Sequence, residues 1–522
     1  MQPGQKIYWP FGSVLSLLFI CIYQFTMKRL LAIVFILIAG IVVAWVYFSE
    51  RNSILSVTLT SPGNTAMHNL VTISLKKPAP LYIEYTEKVS GKKFRTVTSP
   101  AAVLHHIHLL LLKANTEYTY RIIIANLYRQ KSELLSFKTR PQSPWLENHW
   151  FNEKHPHDTS ALGDGMILVS FGRLPGYMAL IDNEGEIRWY WQIEDVGIRV
   201  SSLTPRGTIL GMLRPFAKDE IDDQPQTPEE IANEEHKKPM RRGSMGFAGG
   251  TGLVEVSLTG EMMWRLDLNK VETEKDYQVI HHDIWMDEEN HIHTLYRPKK
   301  VASIMVDGKM QTDTLGGDGI MVVDSLGKVL KTWSAWDVWD ISKDPYIGEY
   351  RYDRFHMNGL CFDKDGNYLV SNPIEDQIWK IDRKTGKILW KFGRGGDFKM
   401  DSTSYFSFQH SPYMMPDGNL ILFDNGLYNK RSGAKMFHLD EKNRTAKTLL
   451  KATLPAEKYT SRMGSAYLLP NGNILQTSSK TGSIMVTDRN GKVLWESVMS
   501  YAPYRAIYVP KETWNGYFKE IK

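Results

Sequence analysis

Apolar and polar positions fall into three regimes along the chain. Residues 30–48 are an uncharged apolar run, long enough to span a bilayer. Between about 53 and 140, apolar and polar residues alternate in short bursts at 56–60, 70–75, 81–85, 118–124 and 135–138. Turn residues separate these bursts every ten or so positions, the pattern of strands in a small β-sandwich of about 90 residues. Pro141 to Pro144 reads as a linker. From about residue 150 to the end the pattern repeats on a longer scale.

Each repeat ends one strand in a tight turn and opens the next with an apolar or aromatic residue. The turns are Asp182-Asn-Glu-Gly185, Ser257-Leu-Thr-Gly260, Asp324-Ser-Leu-Gly327, Asp382-Arg-Lys-Thr-Gly386, a degraded Asp440-Glu-Lys-Asn443, and Asp488-Arg-Asn-Gly491. An earlier hairpin precedes most of them, as in Pro205-Arg-Gly207, Asp365-Gly-Asn367, Pro416-Asp-Gly418 and Pro470-Asn-Gly472. Two hairpins per repeat make four strands, and six such units predict a six-bladed β-propeller. A stacked solenoid is the competitor, but the periods are long and uneven. Arg505-Ala-Ile-Tyr-Val509 is a candidate closing strand for the first blade. The insertion 216–245 is rich in Asp, Glu, Lys and Pro and reads as a mobile loop.

Composition changes this picture little. The formal net charge of +6 is thin over 522 residues, and no block of basic residues marks a nucleic-acid binder. Two cysteines, Cys21 and Cys361, provide neither a disulfide framework nor a cysteine zinc site. Lys28 and Arg29 precede the apolar run, so the positive-inside rule places the bulk of the chain outside the cytoplasm. A signal anchor at 27–49 is favoured over a cleaved signal peptide, and residues 1–26 read as an extension or an upstream mis-start. The expected location is the inner membrane, single-pass, with a periplasmic body.

In a propeller the innermost strand of each blade opens at one mouth of the central channel. Counting eight residues back from the turn position gives His410 before Gly418, His282 before Asn290 and Asn358 before Gly366, with His356 two further back. The same slot holds Arg199 before Gly207 and Gly464 before Gly472, the latter flanked by Arg462 and Met463. A lone histidine at a strand end is usually polar surface. Three at or within two residues of the same repeat slot point to convergence. Such imidazoles can act as nucleophiles, move protons or ligate a metal, and no carboxylate or cysteine completes a recognisable metal spacing. The glycines of 243–252 are followed by strand-like Leu253-Val-Glu-Val256 where a phosphate loop requires a helix.

Several segments resemble the arylsulfate sulfotransferase family: Val279-Ile-His-His-Asp283, His356-Met-Asn358, Phe408-Gln-His-Ser411 with Phe423-Asp-Asn-Gly426, Gly386-Lys-Ile-Leu-Trp-Lys-Phe-Gly393, and Met463-Gly-Ser-Ala466. Residues 113–120 in turn resemble the corner of a fibronectin-III-like domain. The first resemblance implies transfer of a sulfuryl group between phenols by a ping-pong route through a sulfo-histidine, with no nucleotide donor and no cofactor. It makes His410 the nucleophile, with His282 and His356 catalytic beside it. Asn358, Arg394, Arg462 and His281 are the candidate substrate-binding residues, although alternation along a strand also suits His281 to packing. One departure stands out: where the family carries Ser-Ser-Arg, this chain has Ser371-Asn372-Pro373, so the expected anion-binding arginine is missing. Arg354, Arg394 or Arg462 could supply the charge.

The expected architecture is therefore all-β: a membrane helix, a fibronectin-III-like sandwich at 53–140 and a six-bladed propeller at 150–522. The expected partners are a phenolic sulfate donor, a phenol acceptor, the membrane and a second copy of the chain, with no nucleic acid. The alternative is a non-catalytic binding or scaffolding propeller anchored to the membrane.

Overall fold

The computed structural model describes residues 11–62, 67–126, 128–149, 158–214, 227, 230–231, 249–268 and 280–521. The insertion at 216–245 lies outside them apart from 227, 230 and 231, as do residues 1–10. The first described element is one helix, Phe11–Glu50, which carries the apolar run at 30–48. Lys28 and Arg29 do not interrupt it, since both residues are good helix formers. Within it, Phe25–Phe48 is long and apolar enough to cross a bilayer.

The short alternating strands that follow form a seven-stranded sheet around the long strand Asn69–Glu87. Period-two alternation buries Val71, Ile73, Leu75, Leu81, Ile83 and Tyr85. The last strand of the chain, Phe518–Ile521, joins this sheet against Lys93–Thr96. The pairing connects all seven strands and does not by itself make a fibronectin-III-like sandwich.

Six antiparallel sheets make the propeller, five of four strands and one of five, in which the short strand Gly249–Gly250 adds to Ile280–Met286. Their innermost strands, in order, are Ala506–Val509, Gly197–Leu203, Ile280–Met286, Gly359–Phe362, His410–Met414 and Ser465–Leu468, and they define blades 1 to 6. Blade 1 takes its innermost strand from the end of the chain, where Ala506–Val509 pairs with Met166–Phe171. Wholly buried Trp189, Trp379, Trp390 and Trp495 fill the propeller core. Blade 3 carries an inserted hairpin, Lys299–Val306 and Lys309–Gly316.

Antiparallel order puts the start of every inner strand and the end of every second strand at one face, here the mouth. The Asp-x-x-Gly turns lie at the other. The N-terminal sheet packs on the turn face: Lys113 Nζ is 2.6 Å from Glu184 Oε2, and Arg188 Nε donates to Leu111 O at 2.9 Å. The mouth therefore opens away from the N-terminal sheet.

Candidate active site at the propeller mouth

Local backbone irregularity aims the mouth residues. The inner strand of blade 3 slips register between His281 and Ile284, that of blade 2 between Ile198 and Val200, and that of blade 5 between His410 and Tyr413. Such bulges re-aim side chains that strict alternation would send to the blade faces. Left-handed backbone recurs in the same places: φ is +61° at His282, +50° at His356, +55° at Phe408 and +60° at Met463. None is glycine, and each costs about 1–3 kcal/mol.

His410 is buried and tightly oriented. Its Nδ1 lies 2.8 Å from Asn425 Oδ1 and 3.1 Å from Phe408 O, two acceptors that place the ring proton on Nδ1. Nε2 is then the basic atom, and it accepts a long 3.2 Å hydrogen bond from the Met463 N–H. Burial pushes the imidazole down to about 3, only partly opposed by the Asn425 contact. The ring is a neutral base across the physiological range.

His282 and His356 stand with ring centroids 5.2 Å apart, and Phe408 lies 6.0 Å from His356 and 5.8 Å from His410. His356 Nδ1 is 2.5 Å from Asp353 Oδ2, and Arg297 Nη1 is 2.9 Å from Asp353 Oδ1. Burial would raise the Asp353 carboxyl, but Arg297 and His356 hold it below the usual carboxylate range. His282 is pushed well below the ordinary imidazole value, chiefly by burial and then by repulsion from His281 and His356. His281 is wholly buried, its Nδ1 2.7 Å from His282 Nδ1 and its Nε2 3.0 Å from Asp318 Oδ1.

Asn358 is also wholly buried; its Nδ2 donates to Gln409 O at 2.9 Å, one residue before His410. Its Oδ1 has no hydrogen-bond partner among the described residues. Arg462 is half-buried beside Met463. Arg394 is 51% exposed, lies 3.3 Å from Asp376 Oδ2 and rests on Tyr405 and Tyr428. Asp376 Oδ1 in turn accepts from the Phe408 N–H at 3.0 Å. Arg354 is engaged by Asp344 and by Glu375, the latter at 2.7 Å. Asn372 is wholly buried, and neither of its amide atoms is hydrogen-bonded among the described residues.

Sequence reasoning passed over several neighbours. Arg505 occupies the blade 1 slot, its Nη1 2.9 Å from Asp283 Oδ1 and its Nη2 2.9 Å from His282 O. Asp283 Oδ2 accepts from the Leu360 N–H at 2.9 Å, which ties blades 1, 3 and 4 together beneath the histidines. Asp353, Asp318 and Asn425 orient rings and were given no role. For Arg505 the available signal was its place immediately before four strand residues, the place Asn358 and Gly464 hold in their blades.

Fold and site together define a β-propeller protein with imidazoles gathered at one mouth of its channel. The arylsulfotransferase (ASST) family model matches residues 152–498, about two thirds of the chain, and the chain belongs to that family of sulfotransferases. No curated protein matches it. Among solved structures, a protein of unknown function from Bacteroides caccae is 12% identical with a TM-score of 0.37, covering 66% of this chain and 99% of that one. The nidogen/laminin complex gives 12% identity and a TM-score of 0.37 over 66% of this chain and 98% of that one. A streptogramin B lyase gives 10% and 0.32 over 83% and 99%.

Proposed function

We propose that this chain moves a sulfuryl group from an aryl sulfate ester to a phenolic acceptor through a covalent intermediate on His410, without a nucleotide sulfate donor. The observation that supports it most is the state of His410: Nδ1–H anchored by Asn425, Nε2 unprotonated at neutral pH. An oriented neutral imidazole is a good nucleophile toward sulfur.

In the first half-reaction the Nε2 lone pair forms the N–S bond as the S–O(aryl) bond breaks. The electron pair leaves on the phenolate oxygen, which takes a proton from His356. Asp353 accepts from the Nδ1 side of that ring and leaves Nε2 to exchange the proton. In the second half-reaction the acceptor hydroxyl attacks sulfur and passes its proton back to His356. The N–S bond breaks, and neutral His410 is restored.

The sulfuryl oxygens fall to the Met463 N–H, His282 and Asn358, with Arg394 and Arg462 binding the rest of the substrate; His281, its two nitrogens at His282 and Asp318, holds His282 in place. Each charge-assisted contact of this kind is worth about 1.5–3 kcal/mol. The body of the protein works outside the cytoplasm, held by the helix Phe11–Glu50. The uncharged Asn372 favours one competing reading, a propeller that binds aryl sulfates without turning them over.

Incubation with para-nitrophenyl sulfate and no acceptor tests the proposal by peptide mass mapping. One sulfuryl group on His410, discharged by added phenol, is the expected result. Bound donor with no labelled peptide and no released nitrophenol leaves the binding-only reading.

A further inference from the structure

A cavity of about 400 Å³ lies where the N-terminal sheet, the turn end of blade 1 and the last strand of the chain meet. It is at the opposite end of the blades from the histidines, and the sulfuryl-transfer reading makes no use of it. Its volume falls within the ~300–1,000 Å³ of small-molecule sites. Strand pairing builds an aromatic wall along it. Tyr85 sits opposite Phe94, and the strand of Phe94 pairs in turn with Phe518–Ile521. The Tyr85 and Phe94 rings stack with centroids 5.1 Å apart, and Phe518 meets them edge-on at 6.4 and 6.0 Å. Tyr118 and Trp514 extend this wall.

The inner charges of the cavity are already matched. Arg188 Nη1 lies 2.8 Å from Asp182 Oδ2, and Lys511 Nζ 2.6 Å from Asp164 Oδ2. Lys92, Lys519 and Glu520 are exposed at the rim. The Tyr118 hydroxyl is also engaged, accepting from the Lys113 N–H at 2.9 Å and donating to Glu87 Oε2 at 3.4 Å. Two donors are left over. Tyr85 is 2% exposed, and its hydroxyl has no hydrogen-bond partner among the described residues. Burial pushes that hydroxyl well above its ordinary value, so the proton stays on the oxygen. Arg188 gives Nε to Leu111 O and Nη1 to Asp182, while Nη2 makes no hydrogen bond among the described residues. Leaving a buried donor unpaired is costly, and a native fold keeps one where a partner can enter.

We propose that this cavity binds a small uncharged aromatic molecule whose acceptor oxygen, a hydroxyl or a carbonyl, meets Tyr85 and Arg188. The stacked and edge-on rings take the aromatic body. The oxygen satisfies the two spare donors. A carboxylate is disfavoured, because Asp182 already neutralises the guanidinium and no other buried cation faces it. The walls belong to the N-terminal sheet, blade 1 and the chain's last strand, so the bound molecule fastens the sheet to the propeller. The inference stands on this cavity alone and is independent of the chemistry at the mouth.

The test is calorimetric titration of the full-length protein with 2-naphthol, naphthalene and 2-naphthoate, with thermal melting alongside. Wild type is expected to bind 2-naphthol at this site and to melt higher in its presence. Naphthalene, lacking the oxygen, and 2-naphthoate, carrying a charge, are each expected to bind at least about fivefold more weakly. Tyr85→Phe removes only the spare hydroxyl. It should weaken 2-naphthol about fivefold while the unliganded protein melts no lower than wild type, a pairing that a purely structural tyrosine would not give. Leu110→Trp fills the cavity and should abolish this binding; should that variant fail to fold, Tyr85→Phe decides alone. No binding of 2-naphthol to wild type overturns the proposal. So does binding that Tyr85→Phe leaves unchanged, since the molecule then sits elsewhere, as at the propeller mouth. Binding of 2-naphthoate as tight as that of 2-naphthol overturns the uncharged class.

Discussion

The two ends of the blades solve the same backbone problem in opposite ways. At the turn end, left-handed conformations fall mostly on glycine: Gly185, Gly327, Gly386 and Gly491 have φ between +74° and +88°, with Asn290 and Arg444 as exceptions. Each turn is closed by its own leading aspartate, as where Asp324 Oδ1 accepts from the N–H groups of Leu326 and Lys328, and Asp488 Oδ1 from those of Asn490 and Lys492. At the mouth the same conformation falls on His282, His356, Phe408, Ser411 and Met463 as well as on Gly426, Gly464 and Gly482. Several polar atoms there find partners on other blades, as Arg505 does at Asp283, or find none among the described residues, as at Asn358 Oδ1 and Asn372. One end is locally self-sufficient. The other holds strain and unmet hydrogen bonding, which a folded chain retains only where surrounding structure enforces them, and such strain concentrates at working sites.

The sharpest way to break this contrast is at the mouth. His410→Ala is expected to lower kcat/KM for para-nitrophenyl sulfate by about 10⁴-fold or more, while thermal melting stays within a few degrees. Retained activity within tenfold of wild type would remove His410 from the mechanism. Asp353→Asn should reduce kcat by about 10²-fold and alter the pH–rate profile, since His356 then lacks its carboxylate. A loss of stability with unchanged kcat would make Asp353 purely structural.

Acid acts on a buried imidazole at each end, His410 at the mouth and His293 beside the turn residue Asp287. Burial holds His410 at about 3 and His293 at about 4, so the unfolded chain binds protons that the folded chain refuses. Their stability contribution is complete above pH 6.5 and is lost as pH falls toward those values. The slope is about 1.4 kcal/mol per pH unit for each ring. Urea titrations at pH 7, 6 and 5 should show this fall, with a shallower slope in His410→Asn; parallel slopes would contradict it. The smallest effects belong to the turn end. Gly366→Ala, at φ +74° with open space around it, should cost about 1–2 kcal/mol and leave kcat untouched. Gly491→Ala should cost more, because its new carbon meets Thr453 O at 2.0 Å.

Much of the turn end was legible in the sequence, because tight turns demand Asp, Asn and Gly at fixed offsets. Those offsets also carried the count back to His282, Asn358 and His410. The count fails for Arg505, whose strand is followed by the 3-10 turn Lys511–Trp514 in place of a glycine hairpin. Asp353 and Asp318 lie in connections with no period at all. Alternation misleads at His281: it sends neighbouring rings to opposite faces, whereas the left-handed bulge at His282 brings their Nδ1 atoms to 2.7 Å. The pairing of Phe518–Ile521 with Lys93–Thr96 was likewise hidden, since four residues carry no record of a partner more than 400 positions away.

That late pairing sets an order of events during synthesis. Until the ribosome has passed Arg505, the ring has a gap where Ala506–Val509 belongs, the mouth lacks the cation that grips Asp283, and the N-terminal sheet shows a bare edge at Lys93–Thr96. The final stretch of polypeptide supplies all three together. A product cut short before Arg505 is expected to leave the first blade open and that sheet edge unpaired.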